Sequence, residues 1–243
     1  MPRALLLLVV VLLGLSGCAS TRWERVPLEV RAHCDACGRR TGPERGGVRW
    51  VPDGRSSCAE CAQEAITTRE GAVELLAEAR ELLEDELDLE VRPPVEVSLA
   101  TRAELAAAAP ELAHPNLRAF CQIRELLRGD EVLRRDYEIL ALGGLPATEL
   151  RGILCHELVH VAQAEIRGAS DEAQPAFREG AACWVQYRIH QELGEDRWVR
   201  QLIESRDPIY GGGLRRFLRL AQSKGEEEAL RLALELKRFP PGY

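Results

Sequence analysis

The nonapeptide CHELVHVAQ, residues 155–163, constrains the fold of this chain more than any other part of its sequence. Residues four apart in an α-helix point to the same side, so a helix here stacks His156 over His160 and places Glu157 about a third of a turn away. Two neutral imidazoles on one face suit a zinc ion, and the adjacent carboxylate can take a proton from a water that the metal activates. With only five histidines in 243 residues, chance produces this pattern on the order of one time in a hundred. The pattern therefore favours a metal-binding helix over the alternative, an ordinary polar surface helix.

A third metal ligand is expected from the next helical segment. Two histidines and a water leave one position of a tetrahedral zinc site open, and the segment AFREGAACWVQYRIHQEL offers Glu179 for it. Pro175 is placed to begin a helix, and an antiparallel return of that helix would bring Glu179 back to the histidines. Gly180 and Ala181 are small enough to let two helices approach closely. The alternative is that Glu179 is a solvated acid in the first turn of a helix.

Four cysteines near the N-terminus form a second candidate metal site. They follow the spacing C-x2-C, twenty residues, C-x2-C, and are Cys34, Cys37, Cys58 and Cys61. Two such pairs can offer four thiolates to one tetrahedral zinc ion, and the turn at Asp53-Gly54 predicts a short hairpin between them. A module of this size, residues 32–64, has too little core to fold alone, so zinc is expected to hold it together. Two disulfides or a redox-active C-x-x-C pair are the alternatives, and the second lacks the strand and helix framework that it normally needs.

The N-terminus has a positive residue, then a short apolar run, and then small residues before a cysteine. Arg3 precedes the run ALLLLVVVLLGL, which is too short for a comfortable membrane span and is followed by SGC. This arrangement resembles a bacterial lipobox, in which cleavage removes residues 1–17 and leaves Cys18 as the lipidated first residue of a tether, residues 18–31. A one-pass anchor helix is the alternative. By the same resemblance, Ala19 favours the outer membrane of the bacterial cell envelope, facing the periplasm, where cysteine pairs usually become disulfides.

Composition and charge exclude one class of partner. Hydrophobic residues make up 46% of the chain and charged residues 29%, and the formal net charge is -7. Acidic and basic residues alternate without a basic stripe, so we expect no nucleic-acid partner. The length allows one main domain beside the small module.

Residues 65–243 are predicted to form an α+β domain. A helix from Glu64 to about Val91, ended by Pro93-Pro94, has one apolar stripe, which consists of Val73, Leu76, Ala79, Leu83 and Leu87. The alternating segments PVEVSLA, RAFCQIREL and DYEILAL predict a small sheet. After the turn GGLP, the segment ATELRGILCHELVHVAQAEIRG predicts a helix whose packing face is Leu150, Leu154, Leu158 and Val161, with the histidines on another side.

The order of several short motifs carries a family resemblance. HELVH followed by REGAA resembles the gluzincin-type zinc peptidases, in which the glutamate before the glycine is the third ligand. In addition, CDACGRR, DGRSSCAEC, YEILALGGLPATELRGILCHELVH, REGAACW and DPIYGGGLRR follow the order seen in the ubiquitin-activated LIM-domain peptidases that limit plant organ size, including their bacterial relatives. This resemblance covers nearly all of the mature chain. It implies a gluzincin-like zinc peptidase domain, with a small sheet, an HExxH helix and following helices, preceded by a LIM-like or zinc-ribbon-like module.

The sequence also departs from that family in three respects. The plant proteins carry ubiquitin-interacting segments and a complete two-zinc LIM domain, whereas this sequence has neither and offers one set of four cysteines. Their cysteine stands three residues after the ligand glutamate, whereas Cys183 stands four residues after Glu179. Activation by ubiquitin is therefore not implied for this chain. Cys183 and Cys155 are interpreted as small buried residues and not as ligands.

The expected function is that of a lipid-anchored zinc metalloendopeptidase acting on a protein or peptide. One catalytic zinc ion is assigned to His156, His160 and Glu179, and one structural zinc ion to the four cysteines. Glu157 is the predicted general base, which takes a proton from the attacking water and later gives it to the leaving amine.

The oxyanion that forms in this reaction needs a hydrogen-bond donor besides the metal. By resemblance, Tyr210 in DPIYGGGLRR is the first candidate, because a tyrosine before a Gly-rich turn recurs in similar peptidases. Tyr187 and His190 are the alternative donors. An ordinary turn aromatic is the competing interpretation of Tyr210.

Two other classes of function stay open at the level of sequence. A lipid-tethered zinc protein could use a catalytically silent peptidase fold as a binding surface, although such a binder needs no base at Glu157. A thiol redox protein would use the two C-x-x-C units. Zinc content separates the redox protein from the other two, and cleavage of a denatured casein-like substrate separates those.

Overall fold

The computed structural model describes residues 22–25, 32–41, 48–51, 53–110, 116–128, 131–169 and 172–243. The predicted signal peptide, residues 1–17, and the predicted lipidation site Cys18 lie outside the described residues. The tether, residues 18–31, is described only at residues 22–25. Among the helices of the described segments, none combines the length and the apolar character needed to cross a bilayer.

The four-cysteine module is built from short strands around a turn, and residues 22–25 of the predicted tether add a strand to it. Its elements are β1 (Arg22–Arg25), β2 (Ala32–His33), β3 (Arg40–Thr41), β4 (Val48–Val51), β5 (Ser56–Ser57) and α1 (Ala59–Gln63). Strands β1, β4 and β5 form one antiparallel sheet, and β2 pairs with β3. Gly54 turns the chain between β4 and β5 with a φ of +72°, a left-handed conformation that glycine adopts without a Cβ penalty. The hairpin predicted at Asp53-Gly54 is therefore confirmed.

The first long helix, α2 (Arg69–Leu87), is shorter than predicted at both ends. Thr68 caps its start by accepting a hydrogen bond from the Gly71 N–H, and Asp88, in the left-handed region at φ 51°, ends it before the predicted stop at Pro93-Pro94. The buried stripe contains Ala72, Leu75, Leu76, Ala79 and Leu83.

The inclusion of Val73 in the buried stripe of α2 was wrong. Its side chain is 49% exposed. Successive helical residues are rotated by about 100°, so a stripe that includes Ala72 and Leu76 turns Val73 toward solvent.

A mixed three-stranded sheet lies at the centre of the main domain. Its strands are β6 (Val95–Ala100), β7 (Ala119–Arg128) and β8 (Glu131–Leu142), in the order β6-β8-β7. β8 pairs with β6 in parallel and with β7 antiparallel, which leaves β7 at an edge. All three predicted strands are present, although β7 ends two residues after its predicted segment and β8 begins five residues before its own. A short helix, α3 (Arg102–Ala108), follows β6 and begins with a capping box between Thr101 and Glu104.

Five helices follow the sheet in the chain. They are α4 (Ala147–Arg167), α5 (Pro175–Glu192), α6 (Asp196–Glu204), α7 (Tyr210–Lys224) and α8 (Glu226–Glu235). α4 packs against β7 and β8, and the other four helices pack around α4 and one another. The predicted packing face of α4 is confirmed, since its four apolar residues are fully buried. Pro175 begins α5, as predicted. The described part of the chain is thus an α+β fold with eight helices, a central mixed sheet and a zinc-ribbon-like module.

The four-cysteine module is joined to the chain entering α4. The Ile66 N–H donates to the Leu145 carbonyl at 2.8 Å, and the Ala147 N–H donates to the Glu64 carbonyl at 2.9 Å. Arg55, which is buried and paired with Asp53, also donates to the Gly143 carbonyl. These bonds fix the module against the N-terminal end of the helix that carries the histidines.

Candidate metal centres

The antiparallel pair α4 and α5 brings together the three predicted ligands of the first metal site. The Nε2 atoms of His156 and His160 each lie 3.3 Å from the same atom, Oε2 of Glu179. One ligand atom from each residue lies within 4.8 Å of the other two. His156 and Glu179 are buried and His160 is partly buried. We call these three residues the His2Glu cluster, and its donor set is one that zinc accepts.

The charges within the His2Glu cluster favour an ionised carboxylate. Burial raises the pKa of Glu179, but the two imidazoles outweigh burial and hold that pKa well below its ordinary value. Burial lowers the pKa of His160, yet the carboxylates of Glu179 and Glu157 outweigh it and raise that pKa to about 9. The cluster therefore attracts positive charge, and a metal ion that binds there would displace a proton from His160.

Arg178 restrains the carboxylate of Glu179, the predicted third ligand, from outside the cluster. Its Nε and Nη2 atoms donate to Oε1 of Glu179 at 3.1 and 3.0 Å. Since these bonds engage Oε1, the other oxygen is left facing the two histidines. The arrangement suits a carboxylate that binds a metal through one oxygen.

Glu157 lies beside the cluster without belonging to it. Its carboxyl group is buried, and burial raises its pKa, although the neighbouring histidines act in the opposite direction. The backbone N–H of Cys121, in the edge strand β7, donates a hydrogen bond to this carboxylate. A buried carboxylate with a raised pKa is a suitable group for accepting and returning a proton near neutral pH.

Tyr210 is placed next to the cluster by the start of α7. Its ring stacks on that of His156, with centroids 6.4 Å apart and planes 27° from parallel. Asp207 fixes this turn by accepting hydrogen bonds from the backbone N–H groups of Ile209 and Tyr210, at 2.8 and 2.9 Å. Although Tyr210 is 42% exposed, partial burial and the carboxylates of the site raise its pKa, so its hydroxyl stays protonated and can donate a hydrogen bond.

The two alternative donors are not positioned in the same way. His190 follows Glu179 by eleven residues on α5, about 16 Å along the helix axis. Its Nδ1 lies 2.6 Å from Glu195, and its ring packs against Gly152 of α4. Tyr187 packs against the hydrophobic core two turns beyond Glu179. Of the three candidates, the geometry favours Tyr210.

The four cysteines converge on a second point. One sulfur atom from each lies within 4.8 Å of the others, and the Sγ atoms of Cys37 and Cys58 are 3.8 Å apart. A zinc–sulfur distance of about 2.3 Å gives a tetrahedron with edges of about 3.8 Å, whereas a disulfide joins sulfurs at about 2.05 Å. The four thiols are free in this structure. Their arrangement therefore fits a shared metal ion.

The Arg39 guanidinium lies beside the four-cysteine cluster. Hydrogen bonds from Cys34 and Cys61, together with this guanidinium at 3.5 Å, lower the pKa of the Cys37 thiol. Arg39 also pairs with Glu60. Four thiolates around a divalent ion carry a net charge of about -2, which the Arg39 guanidinium compensates in part.

Several supporting residues were not predicted from the sequence. They are Arg178, Asp207, Gln163 and Trp198; the first three touch a predicted residue close to them in the chain, and Trp198 reaches Thr148 of α4 from α6. Trp198 of α6 is buried among the cysteines and donates from Nε1 to Thr148 Oγ1 at 3.1 Å. Only the adjacency of Arg178 to Glu179 and of Gln163 to His160 offered a signal in the sequence.

Two cysteines near the histidine site, Cys155 and Cys183, were predicted to be small buried residues. Cys155 and Cys183 are buried, and burial raises the pKa of both thiols. The Cys155 Sγ lies 3.7 Å from the Ala79 carbonyl of α2. Neither residue belongs to a metal cluster among the described residues.

No protein-family model matches this chain, and neither the curated proteins nor the solved structures give a significant match. The resemblance to LIM-domain zinc peptidases therefore stays a prediction from the motifs. The function has to be inferred from the chemistry of the residues that the fold brings together.

Proposed function

We propose that this chain is a zinc metalloendopeptidase of the gluzincin type, with a catalytic ion at the His2Glu cluster and a structural ion at the four cysteines. The observation that carries the proposal is the convergence of His156 and His160 on one oxygen of Glu179, each at 3.3 Å, with Glu157 buried beside them. Three protein ligands with a position left for water are typical of catalytic zinc, whereas four thiolates are typical of structural zinc.

Different residues of the chain have different roles in the proposed peptide hydrolysis. A zinc ion held by the His2Glu cluster would supply a Lewis acid that activates water and polarises a peptide carbonyl. Glu157 accepts a proton from the attacking water and passes it to the departing amine. Tyr210, kept protonated, donates a hydrogen bond to the oxygen on which negative charge develops.

A peptide substrate is consistent with the strand next to the site. β7 is an edge strand, and its Cys121 N–H already reaches Glu157. An edge strand presents backbone donors and acceptors with which an extended peptide can pair. A peptide added along β7 would pass close to Glu157 and to the His2Glu cluster.

The proposal includes a lipid anchor at Cys18. It rests on the apolar run and the SGC exit of the sequence, and it places the enzyme at the bacterial outer membrane, facing the periplasm. The test is a Cys18→Ser variant followed by lipid labelling and membrane fractionation. An unprocessed, unlabelled precursor is expected, and normal processing with lipid label would refute the anchor.

Cleavage of a protein substrate tests the enzymatic part of the proposal. The purified chain should cleave denatured casein, lose that activity in a strong chelator and regain it when zinc is returned. Binding of casein without cleavage, at full zinc occupancy, would instead favour the silent binding protein. A metal-free protein with thiol exchange activity would favour the redox alternative.

A further inference from the structure

Gln163 connects the His2Glu cluster to a helix that contributes no ligand. It lies on α4, three residues after His160, and is 2% exposed. Its Oε1 is 3.1 Å from His160 Nδ1, and its Nε2 donates to the Ala233 carbonyl of α8 at 3.2 Å. The oxygen of a buried amide accepts hydrogen bonds and its NH2 group donates them. Such an amide is fixed in one orientation when one of its two partners can only accept.

The Ala233 carbonyl supplies that difference. A backbone carbonyl accepts hydrogen bonds and cannot donate them, so the NH2 group of Gln163 has to face α8. The amide oxygen then faces His160, and since this oxygen accepts only, Nδ1 of His160 has to carry the proton. In the neutral ring, Nε2 is left with its lone pair. Nε2 is the atom that lies 3.3 Å from Glu179 within the cluster.

The last turn of α8 is a suitable place for such an acceptor. The final carbonyls of a helix lack partners within the helix and are available to side-chain donors. Arg167 of α4 uses the same region, since its Nη1 donates to the Ala233 carbonyl at 3.4 Å and to the Leu236 carbonyl. The end of α8 is therefore held against α4, one turn beyond the histidines.

We infer that Gln163 is a positioning residue for the metal: the Ala233 carbonyl orients its amide, and the amide fixes His160 in the tautomer whose Nε2 can bind zinc. The inference rests on the proposed metal site and adds that α8 sets the protonation of one ligand. Hydrogen bonds from the second nitrogen of a ligating histidine typically change metal affinity by about 10–100-fold.

Two substitutions separate this role from simple packing. Gln163→Leu removes both hydrogen bonds, whereas Gln163→Glu keeps an acceptor for His160 Nδ1 and loses the amide donor to Ala233. Both variants should lose thermal stability to a similar extent. Zinc affinity at the His2Glu cluster, measured by competition with graded chelators, should fall about 10–100-fold in Gln163→Leu and stay within a few-fold of the native value in Gln163→Glu. Gln222→Leu, at an exposed position of α7, is the matched control.

A second measurement uses the native chain and needs no variant to fold. In zinc-loaded protein with 15N-labelled histidine, nitrogen NMR should show a proton on His160 Nδ1 and none on Nε2. The four-cysteine ion serves as an internal reference, because its affinity should be the same in all variants.

The outcomes distinguish the inference from the function on which it rests. A native chain without zinc at the His2Glu cluster would overturn both. Zinc binding in the native chain with undiminished affinity in Gln163→Leu would overturn the inference alone. So would equal losses of affinity in Gln163→Leu and Gln163→Glu, or a proton found on Nε2 of His160. Selective loss in Gln163→Leu supports it.

Discussion

Gly180 of α5 and Gly213 of α7 pack backbone against backbone, and a Cβ built on Gly180 would lie 2.6 Å from both Cα and the carbonyl carbon of Gly213. Gly180 directly follows the ligand Glu179, and Gly213 lies in the turn of helix that begins with Tyr210. The close helix approach expected at Gly180 is therefore between α5 and α7, and it places Tyr210 beside the His2Glu cluster.

Substitution of Gly180 should therefore damage both packing and site geometry. We expect Gly180→Ala to destabilise the protein by about 1–3 kcal/mol, the usual cost of an overpacked contact, and to lower peptidase activity further by displacing Tyr210. Chemical unfolding and casein cleavage measure the two effects. In Gly212→Ala the new Cβ would meet only the Asp207 carbonyl at 3.7 Å. That control should change stability by no more than about 1 kcal/mol, and an equal loss in the two variants would argue against the close contact.

A buried acid beneath the four-cysteine module should make stability depend on pH. Burial raises the pKa of Glu149 to about 7; Arg118, at 3.7 Å, acts against this and Cys34 adds to it. Between pH 4.5 and about 7, Glu149 is therefore protonated in the folded chain but ionised in the unfolded chain. The contribution of Glu149 to the free energy of unfolding is thus fully present below pH 4.5 and is lost as the pH rises through 7.

The Glu149→Gln variant isolates that contribution. Since one pKa unit corresponds to about 1.4 kcal/mol, its free energy of unfolding should gain on the native value by roughly 2–3 kcal/mol as the pH is raised from 5 to above 7, and the difference should then level off. Denaturant unfolding of both proteins between pH 5 and 9 provides the measurement. A difference between them that does not change with pH would show that Glu149 keeps an ordinary pKa.

The metal content of the chain tests both clusters together. A soluble form beginning at Ala19, purified without chelator, should hold two zinc ions per chain. Glu179→Ala removes a ligand and a compensating charge, so one ion should weaken or vanish while the four-cysteine ion stays. Cys58→Ser should have the reverse effect and should destabilise the small module.

Metal analysis and thiol titration of these variants give the answer. Two zinc ions held as tightly in Glu179→Ala as in the native chain would show that another residue is the third ligand. One zinc ion in the native chain, with none of the four cysteines reactive as a thiol, would mean that disulfides have formed in their place.

Local sequence patterns were sufficient to predict which candidate ligands the fold brings together, but not the residues that support them. His156, Glu157 and His160 share one helix, so helical periodicity alone predicts their relative positions. Glu179 required only an antiparallel return, which Pro175 made predictable. Gln163, by contrast, acts through the Ala233 carbonyl of α8, a contact that depends on tertiary packing.

The errors in the predicted elements have the same origin. The end of α2 is set by Asp88 in a left-handed conformation and not by the prolines beyond it. Val73 is apolar but lies beside the stripe that the sheet and α4 bury. Apolar character alone did not decide which face of α2 is buried; the packing of α2 against β6 and α4 did.

Turnover by a Glu157→Gln variant at full zinc occupancy tests the central claim most directly. The change keeps the size of the side chain and both histidine ligands but removes the proton acceptor. We predict that zinc content is unchanged and that cleavage of denatured casein falls by roughly a hundredfold or more, while Glu227→Gln, at an exposed position of α8, behaves as the native chain. Undiminished cleavage by the zinc-loaded Glu157→Gln variant would contradict the account.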